Sequence, residues 1–158
     1  MLILHVTINY KKIKMKISIA SDHAGFELKT SVIEWLQKHS FEVFDNGCFS
    51  DESVDYPDFA HKVAIDVTNK KADFGIVICG SGNGVNMVVN KYPEIRSALC
   101  WNNEISKLAR LHNNANICAL PARFISKEEA LVIVNTFLTT NFEGGRHQKR
   151  IEKIPISK

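Results

Sequence analysis

Short apolar runs alternate along the chain with longer stretches in which apolar positions recur every three or four residues. The first pattern suits strands buried on both faces, and the second suits helices with one buried stripe. Their alternation predicts a parallel sheet covered by helices. Lys16 to Ala20 is the first run, ending in Ser21-Asp22-His23. Ala24 to His39 follows, with Leu28, Val32, Trp35 and Leu36 on one helical face. Phe41 to Asp45 is expected as a short strand and Ser50 to Pro57 as a loop, after which Phe59, Val63 and Val67 mark a helix. Phe74 to Cys79 has no polar side chain but the thiol, the profile of a central parallel strand. It runs into Gly80-Ser81-Gly82-Asn83-Gly84 and then a helix from about Val85 to Lys91. Further strands are expected at Arg96 to Cys100 and Asn116 to Leu120, with a helix from Asn102 to Leu111 between them. Ser126, followed by Glu129, has the form of a capping box before a helix that carries Ala130, Ile133, Val134 and Phe137. A last helical segment follows Gly144-Gly145.

Five strands, each followed by a helix, predict one α/β domain: a three-layer α/β/α sandwich with a five-stranded parallel, Rossmann-like sheet. Ligands of such sheets bind beyond the carboxyl ends of the strands. Those ends carry Asp22-His23, Asp55-Tyr56, Cys79 to Gly84, Trp101-Asn102-Asn103 and Arg123.

Composition narrows the class without changing the fold. The 158 residues suit a single core, and 45% apolar with 23% charged residues is ordinary for a globular domain. A formal charge of +3 with no long basic block argues against nucleic acid as a partner. No apolar run has the roughly 20 residues a membrane span needs. The N-terminus places apolar residues before its lysines, the reverse of a signal peptide, so a cytoplasmic protein is expected. Cys48, Cys79, Cys100 and Cys118 form no C-x-x-C pair, which fits free thiols and no zinc site.

The densest chemistry is Cys79-Gly80-Ser81-Gly82-Asn83-Gly84. Three glycines between a buried strand and a helix let the backbone present successive N–H groups to an anion. A thiol at the head of that array is placed to act as a thiolate, a base or a nucleophile. The spacing is neither a P-loop nor a dinucleotide fingerprint. Cys100 and Cys118 lie at the end of or inside apolar strands and read as core. Asp22 reads first as a helix cap, with His23 beside it. Arg146 and Arg150, four apart, fall on one helical face, which suits a phosphate; a solvated basic tail is the other reading. Asn113 or Asn114 reads as a C-cap after His112.

Met15 to roughly Lys153 resembles the ribose-5-phosphate isomerase B family, which includes galactose-6-phosphate isomerase subunits. Four blocks carry the resemblance: Ala20-Ser21-Asp22-His23-Ala24-Gly25-Phe26 with Leu28-Lys29, Asp55-Tyr56-Pro57, Ile78 to Gly84, and Gly144 to Arg150. Arg110-Leu111-His112-Asn113 lies between the last two at the family's spacing. The resemblance implies an aldose–ketose isomerase of the pentose phosphate pathway, which interconverts ribose 5-phosphate and ribulose 5-phosphate. It implies Cys79 as the base, Ser81 near the reacting oxygens, and the Gly80, Gly82, Asn83 and Gly84 backbone around the enediolate. His112 would open the ring with help from Asp22. His23, Arg123, Arg146 and Arg150 would hold the phosphate, while Tyr56 and Asn113 would complete the substrate site. No metal or organic cofactor is implied. An isomerase of a six-carbon sugar phosphate, allose or galactose 6-phosphate, is the alternative. Residues 1–14 match nothing in the family pattern and read as an extension of uncertain status before an isomerase domain at 15–158.

One expectation comes from direction alone. Cys79 closes a strand and lies at the ligand end, whereas His112 closes a helix that runs back to the other end. If both act on one sugar, a two-fold partner must supply His112. A homodimer with shared sites, or a dimer of such dimers, is therefore expected.

Overall fold

A computed structural model describes residues 14–156. Its five strands are β1 (Lys16–Ser21), β2 (Glu42–Asp45), β3 (Phe74–Cys79), β4 (Ser97–Leu99) and β5 (Ile117–Pro121). They form one parallel sheet in the order β2-β1-β3-β5-β4. The helices are α1 (Phe26–Lys38), α2 (Tyr56–Thr68), α3 (Asn83–Val89), α4 (Asn103–Asn113), α5 (Lys127–Thr139) and α6 (Arg146–Ile151). A 3-10 turn, His23–Gly25, leads into α1. The expected α/β/α sandwich is thus present. Of the proposed extension, residues 1–13 lie outside the described residues.

Burial explains the layers. The three central strands β1, β3 and β5 are buried from their second residue onward, as a strand covered on both faces must be. On one face Ile17, Ile19, Ile76, Ile78 and Leu120 meet Val32 and Leu36 of α1, Ala109 of α4 and Ile133, Val134 and Phe137 of α5. On the other, Ala20, Val77 and Ala119 meet Ala60, Val63 and Val67 of α2 and Val85 and Val89 of α3. Ser126 and Glu129 form the capping box anticipated before α5, with both reciprocal bonds made. Among the described residues no helix is long and apolar enough to cross a membrane.

The topology sets the site. The chain leaves β1 toward β2 on one side and returns to β3 on the other, so the crevice between the ends of β1 and β3 is the switch point where such sheets bind ligands. Asp22 N donates to Ile78 O at 3.1 Å across that crevice.

Candidate active site

β3 delivers Cys79 to the crevice, where the thiol is 5% exposed. The loop then turns through Gly82, whose φ of +73° is a left-handed conformation that a side chain disfavours. This turn brings Gly82 N within 3.2 Å of Cys79 Sγ, so a backbone N–H donates to the sulfur. Asn83 N donates to Ser81 Oγ at 3.3 Å. Helix α3 opens at Asn83, two residues earlier than its apolar pattern suggests. Thiol, hydroxyl and N–H groups therefore converge at one helix N-terminus, an arrangement that favours negative charge.

Side chains from neighbouring elements surround the loop. A Cβ at Gly84 would sit 2.7 Å from the Tyr56 ring, so the tyrosine at the start of α2 packs directly on this turn. A Cβ at Gly80 would sit 3.2 Å from Arg123 Nη1, which places that guanidinium against the loop. The segment after β5 is fastened there by Ala122 N to Cys79 O (2.9 Å) and Arg123 N to Gly80 O (3.0 Å). At the end of β1, Asp22 Oδ1 accepts from Gly25 N at 3.0 Å, the capping role read from the sequence. His23 Nδ1 accepts from Val54 N at 3.2 Å. Beside the loop lies a groove of about 390 Å³, lined by Ser81, Asn83, Leu99, Trp101, Pro121 and Phe124. Two of its aromatics are well exposed, Trp101 at 53% and Phe124 at 75%.

The other candidates gather elsewhere. His112 lies in the last turn of α4. Arg110, two residues earlier, stacks its guanidinium 4.8 Å from the ring of Phe74, the first residue of β3. Arg96, which precedes β4, donates to the carbonyls of Asn113 and Asn114 at 3.0–3.1 Å. Asn114, at φ +45°, is the left-handed C-cap. Burial pulls both guanidinium groups below their ordinary range, and the charge of Arg96 adds to the effect on Arg110. His112 and Asn113 are thereby held at the amino ends of the strands. The six residues of β3 separate that end from Cys79 by roughly 16 Å at the usual rise per residue. The directional expectation holds within one chain: Cys79, Asp22, His23, Tyr56 and Arg123 share one end of the sheet, while His112, Asn113, Arg146 and Arg150 do not join them.

At this second end α6 packs beside α4. The rings of His112 and His147 stack with centroids 4.3 Å apart and 14° between planes. Glu143 Oε2 lies 3.7 Å from His112 Nε2 and 3.5 Å from His147 Nε2. Burial, then the charge of His112 and of Arg146 and Arg150, lowers the His147 pKa against the opposing pull of Glu143. The three ligand-type atoms lie within 4.8 Å of one another. Both Nε2 atoms face that one carboxylate oxygen, and the charges of Arg146 and Arg150 lie close by. The two guanidinium charges beside the cluster disfavour a metal cation there. Sequence reasoning did not single out Glu143 or His147; their i,i+4 spacing was the available signal.

The remaining cysteines behave as core. Cys100 and Cys118 are fully buried, and burial with the adjacent Cys100 thiol pushes the Cys118 pKa well up.

The sequence profile of the Ribose/Galactose Isomerase family matches residues 17–154. The chain belongs to that family. It is 46% identical over 138 residues to a putative sugar phosphate isomerase of Rickettsia bellii, covering 87% of this chain and 96% of that one. A crystal structure of a ribose 5-phosphate isomerase from Thermotoga maritima superposes with a TM-score of 0.88 at 53% identity, covering 89% of this chain and 97% of the other. Ribose-5-phosphate isomerase B of Mycoplasma genitalium, solved with bound ribulose-5-phosphate, superposes with a TM-score of 0.85 at 46% identity, covering 90% and 95%. The family resemblance read from four sequence blocks and the α/β/α fold read from the apolar pattern are thus both borne out.

Proposed function

We propose that this family member interconverts ribose 5-phosphate and ribulose 5-phosphate, working in the cytoplasm as a homodimer whose sites are shared between subunits. The observation that carries the reading is the buried Cys79 thiol, bonded to the N–H of Gly82 at the head of a glycine loop, in a chain 46% identical to an isomerase that binds ribulose-5-phosphate.

The chemistry follows from the groups at the two ends. An aldose–ketose isomerisation first needs an open-chain sugar. His112 and Asp22 move the ring-opening proton between the ring oxygen and the hydroxyl on C1. The Cys79 thiolate then takes the proton from C2, and the electron pair forms the C1–C2 double bond of an enediolate. The developing oxyanion lies against the N–H groups of Gly80 to Gly84 and the hydroxyl of Ser81, which are fixed before the charge appears. Return of the proton to C1, with transfer of the hydroxyl proton from O2 to O1, yields the ketose. His23, Arg123, Arg146 and Arg150 hold the phosphate, and Tyr56 and Asn113 line the sugar. Binding energy spent at the phosphate thus orients the reacting carbons.

The two-subunit arrangement is supported by the separation of Cys79 from His112 and by the exposed Trp101 and Phe124 beside the glycine loop. Aromatic surface of that kind suits a protein partner. It sits where the His112 end of a second copy would have to dock.

The test is a coupled assay with ribose 5-phosphate run beside allose 6-phosphate and galactose 6-phosphate. Turnover of the pentose with a higher kcat/KM than either hexose is expected. A hexose preferred tenfold or more would assign the chain to the six-carbon branch, and no turnover of any of the three would overturn the reading.

A further inference from the structure

Lys29 is 1% exposed, an unusual fate for a lysine. Its ammonium donates to Asp45 Oδ1 at 2.5 Å and lies 5.8 and 5.2 Å from the ring centroids of Phe26 and Phe49. The same Asp45 oxygen accepts from Gly47 N at 3.0 Å. From there the chain runs back along the end of β1: Ser21 N donates to Gly47 O at 2.7 Å and Cys48 N donates to Ser21 O at 2.8 Å. Asn46 is tied to Ser18 Oγ and Asp66 Oδ2. The far end of the loop reaches His23, where Val54 N donates to Nδ1. Residues 51–53, between these anchors, are exposed. Polar anchors at both ends, with Gly47 and Cys48 buried at the first of them, therefore hold this strap in place.

The bond to His23 has a chemical consequence. A backbone N–H can only donate, so Nδ1 must present its lone pair and the ring proton sits on Nε2. His23 then offers one N–H to a ligand oxygen from a fixed ring. We propose that Lys29 is a positioning residue for His23, holding Asp45, the 46–54 strap and, through Val54, the Nε2–H tautomer that the substrate phosphate meets. This inference rests on the proposed function only in naming the substrate. The brace is stiff from one side: the half-exposed Asp45 carboxylate cannot leave without abandoning the Lys29 ammonium in a desolvated place.

Lys29→Met tests it, with Asp45→Asn as a second variant that keeps side-chain shape if the first folds poorly. The KM for ribose 5-phosphate should rise about tenfold, the scale of one charge-assisted hydrogen bond, with kcat little changed. The rate of Cys79 alkylation by iodoacetamide should stay at the wild-type value. His23→Ala should cost the same alone and combined with Lys29→Met, since both break one chain of contacts. Histidine 15N spectra should show His23 as the Nε2–H tautomer in the wild type and a mixture in either variant, and inorganic phosphate should move the Nε2 signal only in the wild type. The spectra need no turnover, so they decide the matter even if the chain proves to isomerise another sugar. Additive losses, equal falls in kcat and alkylation rate, or a wild-type His23 carrying its proton on Nδ1 would each overturn the proposal.

Discussion

The two ends of the sheet solve the problem of charge in opposite ways. At the carboxyl end of β3 the groups around the buried thiol are chiefly backbone N–H donors with the Ser81 hydroxyl beside them, packed under Tyr56 and Arg123. At the amino end they are side chains: the stacked His112 and His147, the exposed carboxylate of Glu143, and Arg146 and Arg150 on the short helix α6. Backbone donors have no rotamers to lose and cost nothing to reorganise when charge appears. Side-chain donors reach further and can meet a substrate held by another element. Neither set is a full isomerase site by itself. The proposed function gives the first the base and the oxyanion cradle, and the second its imidazoles and guanidinium forks.

The sharpest way to break the comparison is to remove the thiol. Cys79→Ala should lower turnover by at least ~100-fold, the usual scale for a lost general base. The β3 strand and its glycine turn should survive, because alanine fills most of the same buried space. Circular dichroism and melting temperature should therefore stay near wild type. Near-normal turnover in a folded variant would mean that the glycine loop serves some other chemistry.

Joining the two ends is the next test. His112→Ala should also be nearly inactive when the substrate must open its ring. Cys79→Ala and His112→Ala, unfolded and refolded together, form mixed dimers in which one site lacks both groups and the other has both. Half of the dimers are mixed under statistical pairing, with one good site in two, so about a quarter of wild-type sites should return. If mixed dimers form and activity does not recover, the two ends do not meet across an interface.

The contrast between the ends also marks what the sequence could reveal. The glycine loop was legible because its neighbours are contiguous: an apolar strand, three glycines and a helix start within eleven residues of one another. So were the strands and the Ser126 capping box, whose signals are local. The strand order was not, because nothing in the β4 segment says that β5 will insert between it and β3. Lys29 escaped notice as a buried group, since a lysine's burial depends on Asp45, sixteen residues away. Trp35, expected on the buried face of α1, is only half-buried and stacks on His39 and Phe41 instead. His147 and Glu143 became visible only when α6 folded onto α4, for their meaning lies in His112 on another helix.

The smallest effect concerns the His147 end alone. Burial and the charges of His112, Arg146 and Arg150 lower the His147 pKa against Glu143, so the fold prefers its neutral ring. The unfolded chain takes up the proton near the ordinary histidine value of about 6.5. Between that pH and the lower folded value the unfolded state binds more protons, which makes stability rise with pH there. The contribution is complete above about 6.5 and is lost as pH falls through the window toward the folded pKa. His147→Phe keeps a ring for His112 to stack on but cannot titrate. Melting temperatures of wild type and variant, compared at pH 7.5 and at pH 5.5, should therefore converge on acidification, because the wild type loses more. The difference in slope cannot exceed that of a single proton. Parallel pH profiles would show that the stack carries no such linkage, and that its imidazoles matter for the substrate alone.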